Sequence, residues 1–255
     1  MRVYINIMGS NGKIDRFSFL ADTFLVDKEG RVRPTTLCCY MISSALRHAE
    51  VRGFGATDSL GWVLARMALH IERVPMWRER FYIETWVRNL YHGFTDRCVR
   101  VVDEAGNEIA SMLCTLAMID LKTRSSVDLN GDIGVRLNEC IEPDEPLAIT
   151  KIPRINRMPI EDIAFRHTPK YSDVDINGHM NSIRYLDHIL DHLPLEYMAG
   201  HVLTDFVVAY MKEGDATEEL SFGIKELEKD HFLVQVTKEN GTVALRSELK
   251  FLSIE

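Results

Sequence analysis

The segment Tyr171-Ser-Asp-Val-Asp-Ile-Asn-Gly-His-Met-Asn-Ser-Ile-Arg-Tyr185 gathers more groups capable of chemistry than any other stretch of the chain. Asp175, Asn177 and His179 alternate, so an extended backbone would turn all three side chains to one side. Gly178 permits a sharp turn between them. A helix expected from about Met180 puts His179 at its positive end, where unpaired N–H groups suit a developing oxyanion. A carboxylate, an amide, an imidazole and backbone donors within a few residues make a set suited to general acid–base hydrolysis. The same residue types before a helix also serve as caps and turns, with His179 as a surface residue, and the residues alone leave both readings open.

The elements around this segment repeat. Phe17 falls on Phe165, Val26 on Val174, Asp27 on Asp175 and Gly30 on Gly178 at one common offset. Further on, Glu104-x-Gly106 falls on Glu239-x-Gly241 and Ile119 on Ile254. Each copy reads as strand, turn, helix and a run of strands, an α+β plan built twice. In the first copy Thr35 or Thr36 is expected to cap a largely buried helix running to about Glu50. Strands follow at Ala68–Arg73, Arg80–Val87, Thr95–Val102 and Glu108–Asp120, the last two joined through a turn at Asp103–Gly106. In the second copy the helix spans about Met180 to Leu193. Strands follow at Thr204–Lys212, Glu219–Leu227, His231–Lys238 and Thr242–Ile254, with Asn240-Gly241 as a hairpin turn. The expected domains are residues 1–130 and 161–255, with a Gly- and Pro-bearing connector at 131–160.

Composition narrows the function classes. The chain has 255 residues, 46% hydrophobic and 27% charged, enough for one large core or two small ones. No apolar run is long enough for a transmembrane helix and the start carries no signal-peptide pattern, so a cytoplasmic location is expected. A net charge of -8 argues against nucleic-acid binding. The five cysteines (Cys38, Cys39, Cys98, Cys114, Cys140) form no CxxC pair and read mostly as small buried apolar residues. His188 and His192 sit four apart, a spacing that can share a metal, but no third ligand is evident. They read as a polar helix face, and neither metal nor cofactor is expected. No P-loop, dinucleotide fingerprint or Gly-x-Ser-x-Gly elbow is present.

The segment Ser172-Asp-Val-Asp-Ile-Asn-Gly-His-Met-Asn-Ser-Ile-Arg-Tyr185 resembles the SDxDxNxHxNNxxY signature of the plant and bacterial acyl-ACP thioesterases, with Ser182 at the place of a second Asn. Leu60-Gly-Trp-Val-Leu-Ala-Arg66, Thr85-Trp86 and Lys122-Thr-Arg124 are similar to first-half features of that family, so the resemblance covers nearly the whole chain. It implies a tandem hotdog fold, each half a long helix wrapped by an antiparallel sheet. It implies catalytic roles for Asp175, Asn177 and His179 in the second half, and an acyl-chain pocket in the first. The family's Y-x-x-E-C-G strand end matches Tyr210-Met-Lys-Glu-Gly-Asp215, which makes Glu213 the further acid. Gly214 replaces the family's cysteine, which leaves attack by an activated water, with the base role open between Glu213 and His179. In the first copy Glu29, Arg31 and Val74 stand at the positions of Asn177, His179 and Glu213, so that copy lacks the constellation.

The implied partner is an acyl carrier protein bearing a fatty acyl chain, met by a monomer or homodimer. Carrier proteins are acidic. The run from Lys151 to Lys170, with five basic residues against Glu161 and Asp162, is the docking candidate on this acidic chain. An acyl-CoA thioesterase with the same site and a non-catalytic acyl-binding protein are the alternatives.

Overall fold

A computed structural model describes residues 7–129 and 131–254. The chain divides into two compact units, Met1–Ala65 with Leu69–Lys151, and Arg66–Ala68 with Ile152–Glu255.

The first unit is one long helix and an antiparallel meander. Strands β1 (Ile7–Asn11) and β2 (Ile14–Leu20) precede α1 (Pro34–Val51). Then come β3 (Leu60–Ile71), β4 (Arg80–Tyr91), β5 (Phe94–Val102) and β6 (Glu108–Asp120), in the sheet order β1-β2-β4-β5-β6-β3. Helix α1 starts earlier than expected and without a side-chain cap. Arg33 is the cap residue and Pro34 opens the helix, where its fixed φ and missing N–H cost nothing. Leu37, Cys38, Met41, Ala45 and Ala49 are buried, whereas Leu46 and Val51 are exposed, so the helix lays one face on the sheet rather than being largely buried. Strand β3 begins well before Ala68, because Leu60-Gly-Trp-Val-Leu-Ala-Arg66 has no clean alternation to announce a strand. A short helix, α2 (Asp132–Glu139), lies where a plain connector was expected. Its Leu137 joins Ala49, Phe54, Val87, Met118, Leu129 and Cys140 in a buried cluster.

The second unit opens with β7 (Phe165–His167), followed by α3 (Arg184–His192) and α4 (Leu195–Gly200). Strands β8 (His201–Tyr210), β9 (Leu220–Glu228), β10 (His231–Lys238) and β11 (Val243–Ser253) complete it, in the order β8-β11-β10-β9-β7. Leu186, Ile189, Phe206, Val208, Phe222, Val234 and Leu245 fill its core. Helix α3 begins at Arg184, four residues later than expected, because Met180–Ile183 is held in turns. The Met180 N–H goes to Gly214 O, the Asn181 N–H to Asp173 O, and the Ile183 N–H to the Asn181 side chain. At the other end Pro194 stops the helix, and α4 is a separate turn. No helix among the described residues is long and apolar enough to cross a membrane.

Candidate active site

The segment 173–181 is a tight loop rather than an extended strand. The Gly178 N–H donates to Asp175 O at 3.0 Å and the Asp175 N–H to His179 O at 2.8 Å, with Gly178 at φ +80°. The Asp175 carboxylate turns back into the loop and accepts from the backbone N–H groups of Asn177 at 2.8 Å and His179 at 3.2 Å. Asp175 therefore shapes the backbone that carries the other two groups, and the alternation that suggested a common direction does not apply.

The first unit contains the same loop. The Asp27 N–H donates to Arg31 O at 2.8 Å and the Gly30 N–H to Asp27 O at 3.1 Å. The Asp27 carboxylate accepts from the Glu29 N–H at 3.0 Å and the Arg31 N–H at 2.9 Å. Val32 N–H donates to Pro75 O at 2.9 Å just as Met180 N–H donates to Gly214 O at 2.9 Å, and Arg31 faces Met76 as His179 faces Asp215. The duplication is thus written in the hydrogen bonds. The loop-forming Asp is kept in both units, while the other matched positions differ: Arg31 for His179, Glu29 for Asn177, Val74 for Glu213.

His179 and Glu213 meet in the second unit. Nε2 of His179 lies 3.6 Å from Oε2 of Glu213, with side chains 24% and 40% exposed. That separation is too long for a direct hydrogen bond and suits a bridging water or closure on substrate. Nδ1 of His179 is buried without a hydrogen-bond partner. A buried orphan N–H costs more than a buried orphan lone pair, so the ring's proton belongs on Nε2, facing Glu213. Asn177 is exposed at the loop tip. The helix-end donors expected beside His179 are absent. The N–H groups of His179, Met180 and Asn181 are already spent within the chain, and α3 starts four residues on.

Two further residues shape the site: Lys238, which has no signal in the local sequence, and Tyr185, the last residue of the signature segment. Lys238, on β10, donates to Glu213 O at 2.9 Å and Asp215 Oδ2 at 3.0 Å and meets Glu218 at 2.9 Å, so it clamps the turn that carries Glu213. That clamp holds the Asp215 carboxyl below its usual range. Tyr185 occupies the space beside Gly214: a Cβ at Gly214 would sit 2.5 Å from the Tyr185 hydroxyl and 3.2 Å from Leu220 Cδ1. Burial pushes the Tyr185 hydroxyl up to about 12, against a hydrogen bond with the Gly214 backbone. A side chain at 214 would therefore have to displace the Tyr185 hydroxyl. Of the five cysteines, all in the first unit, four are buried and only Cys39 is exposed. Burial pushes the Cys98 and Cys114 thiols up to about 12, which keeps them from acting as nucleophiles.

His192, expected to share a face with His188, stacks on Phe165 at 4.8 Å instead. His188 turns to Asp173, away from the His179–Glu213 pair in hydrogen bonding. In the first unit a cavity of about 540 Å³ is lined by apolar Ile109, Ala110, Pro146 and Leu147 together with the charged side chains Arg100 and Glu108.

Fold and site together define an α+β protein of the hotdog type with an imidazole–carboxylate pair in its second unit. Residues 16–136 match the acyl-ACP thioesterase N-terminal domain and residues 159–251 the acyl-ACP thioesterase C-terminal domain. The chain therefore belongs to the acyl-ACP thioesterase family. It is 38% identical to an acyl-ACP thioesterase of Bacteroides thetaiotaomicron, over 94% of this chain and 98% of that one, with a TM-score of 0.85. The 12:0-ACP thioesterase of Umbellularia californica shares the fold at 18% identity and a TM-score of 0.86, over 96% of this chain and all of that one. Among plant relatives, a chloroplastic dodecanoyl-[acyl-carrier-protein] hydrolase of Cinnamomum camphora is 27% identical over 222 residues, 80% of this chain. The chain spans 57% of that relative's length.

Proposed function

We propose that this protein hydrolyses the thioester of a fatty acyl chain on acyl carrier protein, releasing the free acid and the carrier thiol. The observation that carries the reading is the His179–Glu213 pair at 3.6 Å in the unit of an acyl-ACP thioesterase family member that keeps both groups. Glu213 is the general base. Its carboxylate is the more exposed of the two, while the free ring nitrogen of His179 is buried. His179 presents Nε2–H to Glu213 and fixes the carboxylate; as water attacks the thioester carbon, Glu213 takes its proton and passes it to the sulfur of the departing carrier thiolate. Asn177, with its exposed amide, orients the carbonyl or the water and supplies the donor that the helix end does not. Asp175 and Lys238 position the two loops. Lys151, Arg154, Arg157, Arg166 and Lys170 are all exposed and offer the acidic carrier a basic track. The reaction belongs to fatty acid synthesis in the cytoplasm.

The test is thiol release by the wild-type protein from matched acyl-ACP and acyl-CoA of several chain lengths. A higher kcat/KM on acyl-ACP is expected. Preference for acyl-CoA would move the handle and keep the chemistry, and hydrolysis of neither would overturn the reading.

A further inference from the structure

A second cluster in the same unit is separate from the His179–Glu213 pair. Asp173 is 3% exposed and lies between two imidazoles. Nε2 of His167, on β7, is 2.8 Å from Asp173 Oδ2, and Nε2 of His188, on α3, is 2.9 Å from Asp173 Oδ1. The two rings lie tilted at 36° with centroids 3.8 Å apart, and the three ligand atoms lie within 4.8 Å of one another. The Lys170 N–H donates to Oδ2 at 2.8 Å and steadies the carboxylate from behind.

The first unit shows that the fold does not need these groups. At the offset that matches Asp27 to Asp175, His167 corresponds to Phe19, Asp173 to Leu25 and His188 to Tyr40. The correspondence holds in the backbone: the Arg33 N–H donates to Leu25 O as the Asn181 N–H donates to Asp173 O. There Phe19 and Tyr40 stack at 4.6 Å and close the same place with apolar packing. The second unit has exchanged an ordinary aromatic contact for two imidazoles and a carboxylate aimed at one point.

We propose that His167, Asp173 and His188 form a binding site for a transition-metal dication of the Zn²⁺ class, which pins β7 and α3 to the loop that carries Asp175 and His179. Two nitrogens and one carboxylate suit borderline cations, whereas Mg²⁺ and Ca²⁺ take oxygen donors. At metal–ligand lengths of about 2.0–2.2 Å, neighbouring tetrahedral ligand atoms stand roughly 3.3–3.5 Å apart. The two nitrogen–oxygen separations of 2.8 and 2.9 Å fall short of that length, and the 4.8 Å limit on the three ligand atoms lies beyond it, so the three groups bracket a coordination shell. Coordination through Nε2 leaves Nδ1 of each ring to carry the ring proton. The rings are 17% and 20% exposed at the side chain, which gives the ion and a completing water their path.

The experiment is calorimetric titration of the chelator-stripped, full-length protein with Zn²⁺, and separately with Mg²⁺, alongside His188→Gln, His167→Gln and His179→Gln. Circular dichroism and the metal-free Tm of each variant establish that it is folded. Saturable binding of a single Zn²⁺ is expected in wild type and His179→Gln, lost in His188→Gln and His167→Gln, with no response to Mg²⁺. At a hundredfold excess over Kd the wild-type Tm should rise by about 5 °C or more. Absence of saturable Zn²⁺ binding, binding undiminished in the two cluster variants, or loss of binding in His179→Gln would each overturn the proposal.

Discussion

Acidification should weaken the first unit through one buried histidine. His48 on α1 is fully buried, with Nε2 3.1 Å from Lys13 O and Nδ1 2.6 Å from the Arg97 guanidinium, itself buried. Nδ1 must accept from Arg97, so the ring is neutral, and protonation would set two cations against each other in the core. Burial first, and then Arg97, lower the His48 pKa from 6.5 to about 3. Between those values the unfolded chain binds a proton that the folded chain refuses, so stability drops as the pH is lowered through this window. Each pH step of one below the unfolded-state value removes about 1.4 kcal/mol, so the loss between about pH 7.5 and pH 5 comes to about 2 kcal/mol. All three tryptophans, Trp62, Trp77 and Trp86, lie in the first unit, so fluorescence-monitored urea unfolding reads the surroundings of that unit's tryptophans. His48→Gln can keep both hydrogen bonds without titrating. The pH dependence of its unfolding free energy should be shallower than wild type by that same amount, about 2 kcal/mol. Parallel curves for the two proteins would refute the assignment of His48 as a buried neutral acceptor.

Further expectations concern the site. Gly214→Cys should not raise turnover and should cost about 1–3 kcal/mol by thermal or urea unfolding, because its Cβ meets the Tyr185 hydroxyl; adding Tyr185→Phe should recover much of that loss. Asp175→Ala removes the acceptor for two loop N–H groups and should lower kcat by about a hundredfold through misplacement of His179, with the Zn²⁺ titration unchanged. Lys238→Met should lower kcat by a smaller factor and allow the Asp215 carboxyl to titrate closer to its ordinary range, read by NMR of its side-chain carbon.

The repeat was legible because both loops demand the same residues: an Asp to accept two N–H groups and a Gly at positive φ, placed identically in 27–30 and 175–178. Strands bounded by polar turns, such as the nearly continuous apolar run Glu108–Asp120 and the strand His231–Lys238, could be read to the residue. Helix starts were less accessible. Pro34 and the Asn181 turn decide them, and both act through backbone hydrogen bonds rather than hydrophobic period. The Asp-x-Asn-x-His spacing signalled a site, yet it could not distinguish an Asp that reacts from one that builds the turn; the first unit's matching loop does. His188 was visible as a possible ligand, but its partners His167 and Asp173 converge only in three dimensions. Lys238 reaches the Glu213 turn from a distant strand and carries no local mark, whereas Tyr185 closes the signature segment but its contact with Gly214 shows only in three dimensions.

The most direct test is the single-turnover rate of acyl-ACP hydrolysis by wild type and Glu213→Gln at saturating enzyme. Loss of the base should slow the chemical step by about 10²–10⁴-fold while carrier binding stays unchanged. A Glu213→Gln rate within a few-fold of wild type would contradict water activation by Glu213, and with it the proposed mechanism.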